Sequence, residues 1–245
     1  MKSRFRFWEG VGQQLRCPTG PWGHLTGHLM AMANRRPNGI AIDALGVTPT
    51  DTILELGFGP GEGARALNVL APRGLVLGID RSPEMLALAS WRNREAIKAG
   101  RVRLRLGRFD ALPFAPESID KILAVNVIYF FRKDADEIRE AMRVLRSGGV
   151  MAVYATHRST MSRWKFAGPD THSHFDEDAL RNLAVHGGFA ADAVSVRDVA
   201  LPFGIRGLLA ILRKSANPMI DMKSQNLRSA VTGPLSGPAT SPVGS

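Results

Sequence analysis

The segment that most constrains this chain is Ile53-Leu54-Glu55-Leu56-Gly57-Phe58-Gly59-Pro60-Gly61-Glu62-Gly63. A short apolar run, Thr52–Leu56, stops at a glycine cluster, and a helical pattern from Gly63 to Leu70 follows. Glycines at a strand-to-helix turn let the backbone pass close to a ligand and leave the first amides of the helix free. The spacing is Gly57-x-Gly59-x-Gly61, with Glu62 where a dinucleotide fingerprint has its third glycine. Glu55 places a carboxylate at the mouth of the turn. It repels a pyrophosphate and attracts a ligand carrying an ammonium or sulfonium. The segment therefore points away from NAD and towards a cationic ligand.

Periodicity alternates between two and three-point-six along most of the chain. Strands are expected at Thr52–Leu56, Leu75–Ile79, Arg101–Leu106, Ser118–Val125, Val150–Thr156, Ala191–Val199 and Gly207–Leu212. Helices are expected over Gly63–Leu70, from Pro83 to about Lys98 behind the cap Ser82, over Lys133–Arg146, and over Asp176–His186 before Gly187-Gly188. His157–Phe175 reads as loop. This order predicts an α/β fold: a doubly wound, Rossmann-like, seven-stranded, mostly parallel sheet with helices on both faces. Two further helices, Pro21–Asn34 and Asn38–Leu45, the latter capped by Asn38 and stopped by Gly46, precede the sheet as candidate lid helices. The chain thus divides into a helical cap (1–46), a ligand-binding unit (47–214) and a Ser/Pro/Gly/Ala/Thr-rich tail (215–245) expected to be disordered.

A second acid, Asp80, ends the strand after the glycine turn in Gly78-Ile79-Asp80-Arg81-Ser82-Pro83-Glu84-Met85-Leu86, where it can accept both hydroxyls of a ribose. A third, Asp110, follows the next strand in Gly107-Arg108-Phe109-Asp110-Ala111-Leu112-Pro113-Phe114. It can accept from an adenine amino group while Phe109, Met85 or Leu112 covers the ring. In order, E-L-G-x-G-x-G, G-I-D-x-S-x-x-M-L, D-A-L-P-F, the post-strand segment Val125–Phe131 and Glu140–Gly149 resemble the class I S-adenosylmethionine-dependent methyltransferases, in particular their ubiquinone/menaquinone biosynthesis-like small-molecule group.

The resemblance covers residues 40–156 in detail. It implies S-adenosylmethionine as cofactor, with Glu55, Gly57, Phe58, Gly59 and Gly61 around the methionine end, Asp80 at the ribose, Asp110 at adenine and Asn126 near the amino-acid moiety, and with Arg81, Met85 and Ala111 as further cofactor-binding residues. Phe58 and Glu62 depart from the small or polar residues usual in that family. Tyr129 and His157 are the candidate bases, with His24 and His28 behind them. No metal is expected, because His172-Ser173-His174 lacks an Asp or Cys arrangement to complete a site.

The implied activity is methyl transfer to a small-molecule acceptor by in-line displacement. A nucleic-acid methyltransferase or RNA-binding module is the first alternative, suggested by the net charge of +10. That charge is spread thinly, however, with no block of like residues. Asn126-Val127-Ile128-Tyr129 also stands where amino-methylating nucleic-acid enzymes have (N/D)-P-P-(Y/F), so no nucleic-acid partner is expected. An NAD-dependent oxidoreductase is the second alternative, opposed by Glu55 and the missing third glycine. Arg101, Arg103 and Arg105 share one strand face and read as guards of an exposed sheet edge. A single cysteine, Cys17, and no apolar run of membrane-spanning length favour a cytoplasmic protein, with Lys2–Trp8 as a basic-aromatic segment able to touch a membrane surface. The sequence leaves oligomeric state open.

Overall fold

A computed structural model describes residues 34–164, 167 and 172–216. The expected helix before Asn34, the histidines at 24 and 28, the basic-aromatic segment and nearly all of the expected tail lie outside the described residues. Along the described chain run α1 (residues 34–45), β1 (Thr52–Leu56), α2 (Glu62–Leu70), β2 (Leu75–Asp80), α3 (Pro83–Arg92), α4 (Arg94–Lys98), β3 (Val102–Leu106) and β4 (Ile119–Val125). α5 (Asp136–Val144), β5 (Leu145–Thr156), α6 (Arg158–Met161), α7 (Glu177–His186), β6 (Val194–Leu201) and β7 (Ile205–Arg213) complete it.

The seven strands lie in the order β3-β2-β1-β4-β5-β7-β6, with β7 antiparallel to both its neighbours and the other pairs parallel. Winding runs outward from β1 to β3, then returns to β4, so the direction reverses between β1 and β4. Ligands of open α/β sheets bind outside the carboxyl ends of strands at such a reversal.

Alternation of side chains divides the core in two. Ile53, Val76, Leu123 and Val125 pack under α1, α2 and α4 through Ile42, Leu45, Leu67 and Ala96. Leu54, Leu56, Ile79, Ile122 and Ala124 pack under α5 and α7 through Ile138, Ala141, Leu180 and Ala184. Both faces of β1 from Ile53 and of β4 from Ile122 are therefore buried, which explains the successive apolar residues Ile53-Leu54 and Ile122-Leu123-Ala124-Val125. Glu55 has the parity of Ile53 and so points beneath α2.

Several boundaries differ from the sequence expectation, each for a local reason. The helix expected from Pro83 to Lys98 breaks at Asn93, whose buried side-chain amide donates to the carbonyls of Ala89 (2.9 Å) and Gly61 (3.1 Å). Asn38 is not a cap, because α1 already runs through residue 34. The helix expected over Lys133–Arg146 is α5, entered through Ala135 at φ 62, and Leu145 already pairs with Ile119. Register then jumps to Lys121↔Val150, leaving residues 146–149 as an irregularity rather than a helix stop. Residues 191–193 form a short 3-10 turn before β6, and the expected loop after β5 contains the single turn α6. Arg103 and Arg105 are exposed on β3, the outermost strand, as the edge reading expects. Among the described residues no helix is long and apolar enough to cross a membrane.

Candidate functional site

At the carboxyl ends of β1, β2 and β4 lies a cleft of about 780 Å³ counting its open mouth, within the size range of small-molecule sites. Glu55, Gly57, Phe58, Gly59, Asp80, Arg81, Met85 and Asn126 line it, so eight of the expected cofactor residues meet in one place.

Glu55 is 4% exposed, and its Oε2 has no hydrogen-bond partner among the described residues. Burial, then the charge of Asp80, pushes its carboxyl up to about 8, opposed by a hydrogen bond from the Ala64 backbone. The carboxylate fits only because position 63 is glycine: a Cβ there would stand 1.9 Å from Glu55 Oε1. Asp80 fastens two turns together. Its Oδ2 accepts from the Gly59 amide at 2.8 Å and its Oδ1 from the Ser82 amide at 2.9 Å, while burial raises its pKa against those bonds. Ser82 in turn caps α3 by accepting from the Met85 amide.

The two departures in the glycine turn are built in. Phe58 is buried with Met85, Leu88 and Ala89, and has room because residue 78 is glycine, where a Cβ would meet Phe58 Cδ1 at 2.7 Å. Glu62 pairs with Arg92 Nε at 3.3 Å, and Arg92 also donates to the Pro60 carbonyl, so the turn is tied to α3. Gly61 differs from its expected role. It does not line the cleft; its φ of 84° and its contact with α3, where a Cβ would meet Ala89 Cβ and Asn93 Nδ2 at 2.7 Å, make it a packing glycine.

On the adenine side, Phe109 lines the cleft with the Arg81 guanidinium 5.0 Å above its ring, and the buried Arg81 Nε has no partner among the described residues. Asp110 and Ala111 are not among the lining residues. Side-chain hydrogen bonds from Arg108, with Arg132 at 3.5 Å, hold the Asp110 carboxyl below the usual range. The segment is held from α5, where Glu140 accepts from the Leu112 amide at 2.9 Å and Arg143 donates to the carbonyls of Leu112 and Phe114.

The surroundings of the two expected bases give them other work. Tyr129 is buried, donates to Asn126 Oδ1 at 2.6 Å and accepts from the Thr156 amide; burial pushes its pKa further up, so it does not take a proton near neutrality. His157 caps α6, its Nδ1 accepting from the Ser159 amide at 3.1 Å, with Nε2 3.5 Å from Glu177. Neither ring lines the cleft. His172 packs on Tyr129 and Phe130, and His174 Nε2 meets the Ala167 carbonyl at 2.8 Å, so this pair does not converge.

Sequence reasoning missed two groups. Asn34 and Asn38 line the cleft, and Asn34 Oδ1 accepts from Asn126 Nδ2 at 2.7 Å. Their spacing of four on one helix was the available signal. Ligand atoms of His157, Glu177 and Asp198 lie within 4.8 Å of one another, with Arg206 paired to Asp198 and 4.0 Å from Glu177. Three separate elements build that cluster, so no spacing in the sequence announces it.

The sequence pattern of a family described as "Methyltransferase domain" matches residues 54–153. An uncharacterized methyltransferase, YdaC of Bacillus subtilis, is 33% identical over 129 residues, 53% of this chain and 69% of that protein. A ubiquinone/menaquinone biosynthesis C-methyltransferase, UbiE of a Geobacter species, is 25% identical over 162 residues, 63% of this chain and 68% of that protein. Among solved structures, the complex of the Haloferax volcanii Trm112 methyltransferase activator with a methyltransferase superposes with a TM-score of 0.65 at 20% identity, covering 78% of this chain and 93% of the matched one.

Proposed function

The chain belongs to the S-adenosylmethionine-dependent methyltransferases, and from that premise we propose that it methylates a small-molecule acceptor in the cleft above β1, β2 and β4. The observation that carries the site assignment is the buried Glu55 carboxylate with an unpartnered oxygen. A buried ionisable group without a partner is costly and marks a place where a ligand completes the structure. A cation completes this one, and the cofactor's amino-acid end carries an ammonium.

In this reading Glu55 holds the ammonium, Gly57 and Gly59 admit the methionine end, Asp80 accepts from the ribose, and Phe58, Met85 and Phe109 form the apolar walls. Asp110, gripped by Arg108 and Arg132, presents its loop at the adenine edge. When bound, the cofactor supplies an electrophilic methyl group on a sulfonium. The chain's contribution is to hold an acceptor in line and exclude water. With Tyr129 and His157 committed elsewhere, the acceptor arrives as a good nucleophile, such as an activated carbon, a sulfur or an ionised oxygen. The ubiquinone/menaquinone biosynthesis relative supports a small-molecule acceptor of this kind. Residues 1–46, including α1, serve as the cap of the unit formed by residues 47–214.

Calorimetry with S-adenosylhomocysteine against NAD tests the site. Saturable binding of the first alone is expected, and binding of NAD alone overturns the assignment. A cofactor-consumption screen over quinols, phenols, thiols and nucleic acid tests the acceptor; turnover confined to nucleic acid overturns the small-molecule reading.

A further inference from the structure

Asn34 and Asn38 share the face of α1 turned to the cleft, and the first is the end of a hydrogen-bond relay whose direction can be worked out. The Thr156 backbone amide can only donate, and it donates to the Tyr129 oxygen. A hydroxyl has one proton, so Tyr129 must donate that proton to Asn126 Oδ1, 2.6 Å away. This fixes which end of the Asn126 amide is oxygen, and a second donor, the Thr156 hydroxyl at 3.4 Å, agrees. Asn126 Nδ2 then donates to Asn34 Oδ1 at 2.7 Å. The oxygen of Asn34 is consumed inward, and its NH₂ is the free end at the cleft, without a partner among the described residues.

The relay joins the end of β5, the segment that follows β4, and α1. Asn126 holds φ 53°, with its backbone amide on the Tyr154 carbonyl at 2.8 Å. The cleft also holds the carboxylates of Glu55 and Asp80, and the Arg81 guanidinium lies over Phe109. The Asn34 amide is the donor at the α1 side, and it selects a ligand group that accepts hydrogen bonds, most strongly one that bears negative charge. The cofactor's amino-acid end carries one such group beside the ammonium assigned to Glu55.

We propose that Asn34, oriented by the Thr156-Tyr129-Asn126 relay, donates to the carboxylate of the cofactor, so that α1 reads its amino-acid end. Asn34 is the ligand contact, and Tyr129 and Asn126 are positioning residues for it. The inference rests on the cofactor assignment above and extends it to a part of the chain outside the matched domain.

The test is calorimetry on the full chain with three ligands: S-adenosylhomocysteine, its decarboxylated analogue S-adenosyl-3-thiopropylamine, and methylthioadenosine, which lacks the amino-acid end. Asn34→Ala is expected to weaken S-adenosylhomocysteine by about tenfold or more, the scale of a hydrogen bond to a charged group, and to leave the other two within about twofold. Tyr129→Phe, which removes the proton that sets the relay, is expected to show the same selectivity at smaller amplitude. Asn34→Asp keeps the size but replaces the NH₂ donor with a negatively charged acceptor, so it should favour the decarboxylated amine over S-adenosylhomocysteine. Equal losses for all three ligands, or an unchanged S-adenosylhomocysteine affinity, overturn the proposal. If the unsubstituted chain fails to bind S-adenosylhomocysteine at all, the cofactor assignment fails instead.

Discussion

Two clusters of charged side chains sit at the carboxyl end of this sheet, and they are built in opposite ways. At the end of β5, His157 caps α6, faces Glu177 and lies near Asp198, while Arg206 pairs with Asp198. Each group there has a partner inside the protein. At the ends of β1 and β2, Glu55 keeps an oxygen unpaired under α2 and Arg81 keeps an unpaired Nε beside Phe109. Of the four buried side-chain polar atoms without a partner among the described residues, these two belong to the cleft. A protein that satisfies its charges in one place and leaves them open a few strands away is holding the second place for a ligand.

The largest break in this contrast comes from filling the space Glu55 occupies. Gly63→Ala puts a Cβ where Glu55 Oε1 now lies. Overpacking is expected to cost about 1–3 kcal/mol of stability, and expulsion of the carboxylate should weaken S-adenosylhomocysteine on the order of a hundredfold. Thermal melts and calorimetry read the two effects separately. Asp80→Ala comes next. It removes the acceptor for the Gly59 and Ser82 amides and the ribose contact assigned to it, with an expected loss of about 1.5–3 kcal/mol in cofactor binding. An unchanged affinity would move the ribose elsewhere in the cleft.

The third effect is a pH dependence whose sign follows from Glu55. Its pKa is raised from 4.5 in the ordinary state to about 8 in the ligand-free fold. Between those values the folded chain holds a proton that the unfolded chain has lost, so this group's contribution to stability is full below pH 4.5 and declines as pH rises to about 8. An ammonium beside the carboxylate favours its charged form, so cofactor binding releases a proton. Affinity for S-adenosylhomocysteine should therefore rise from pH 6 to 8, by at most about tenfold per pH unit. Glu55→Gln should flatten that rise. A wild-type affinity that is level over this range would mean that Glu55 is not the ammonium partner.

Much of the cleft was legible in the sequence because its parts are local. The glycine turn, the acid ending β2 and the cap at Ser82 each depend on a few consecutive residues and on strand or helix period. What escaped was assembled across the chain. Gly61 has the spacing of a ligand contact, yet its neighbour is α3, brought there by the return of β2. Asn38 looks like a cap because asparagine is a favoured N-cap residue, but α1 already runs through residue 34 and Asn38 lines the cleft. Tyr129 and His157 were read as bases from their place after β4 and β5. Only the packed structure reveals that each spends its polar atoms on backbone amides, Thr156 in one case and Ser159 in the other. The split of the Pro83–Lys98 helix has the same origin, since Asn93 serves a carbonyl of the distant glycine turn.

The smallest expected effect probes the satisfied cluster. His157→Ala removes the side chain that accepts from the Ser159 amide at the start of α6. Loss of such a cap costs about 1 kcal/mol, which in a unit of this size lowers the melting temperature by about 2–4 °C. Cofactor affinity should stay within about twofold, since the ring is buried among Ser159 and Glu177 and does not line the cleft. Methyl transfer, once an acceptor is found, should keep its rate. The two readings of His157 separate cleanly here: a cap lowers the melt and spares turnover, whereas a base spares the melt and abolishes turnover. A collapse of turnover with an unmoved melt would make the β5 cluster catalytic, and the division between a self-paired end and a ligand-seeking end of the sheet would no longer hold.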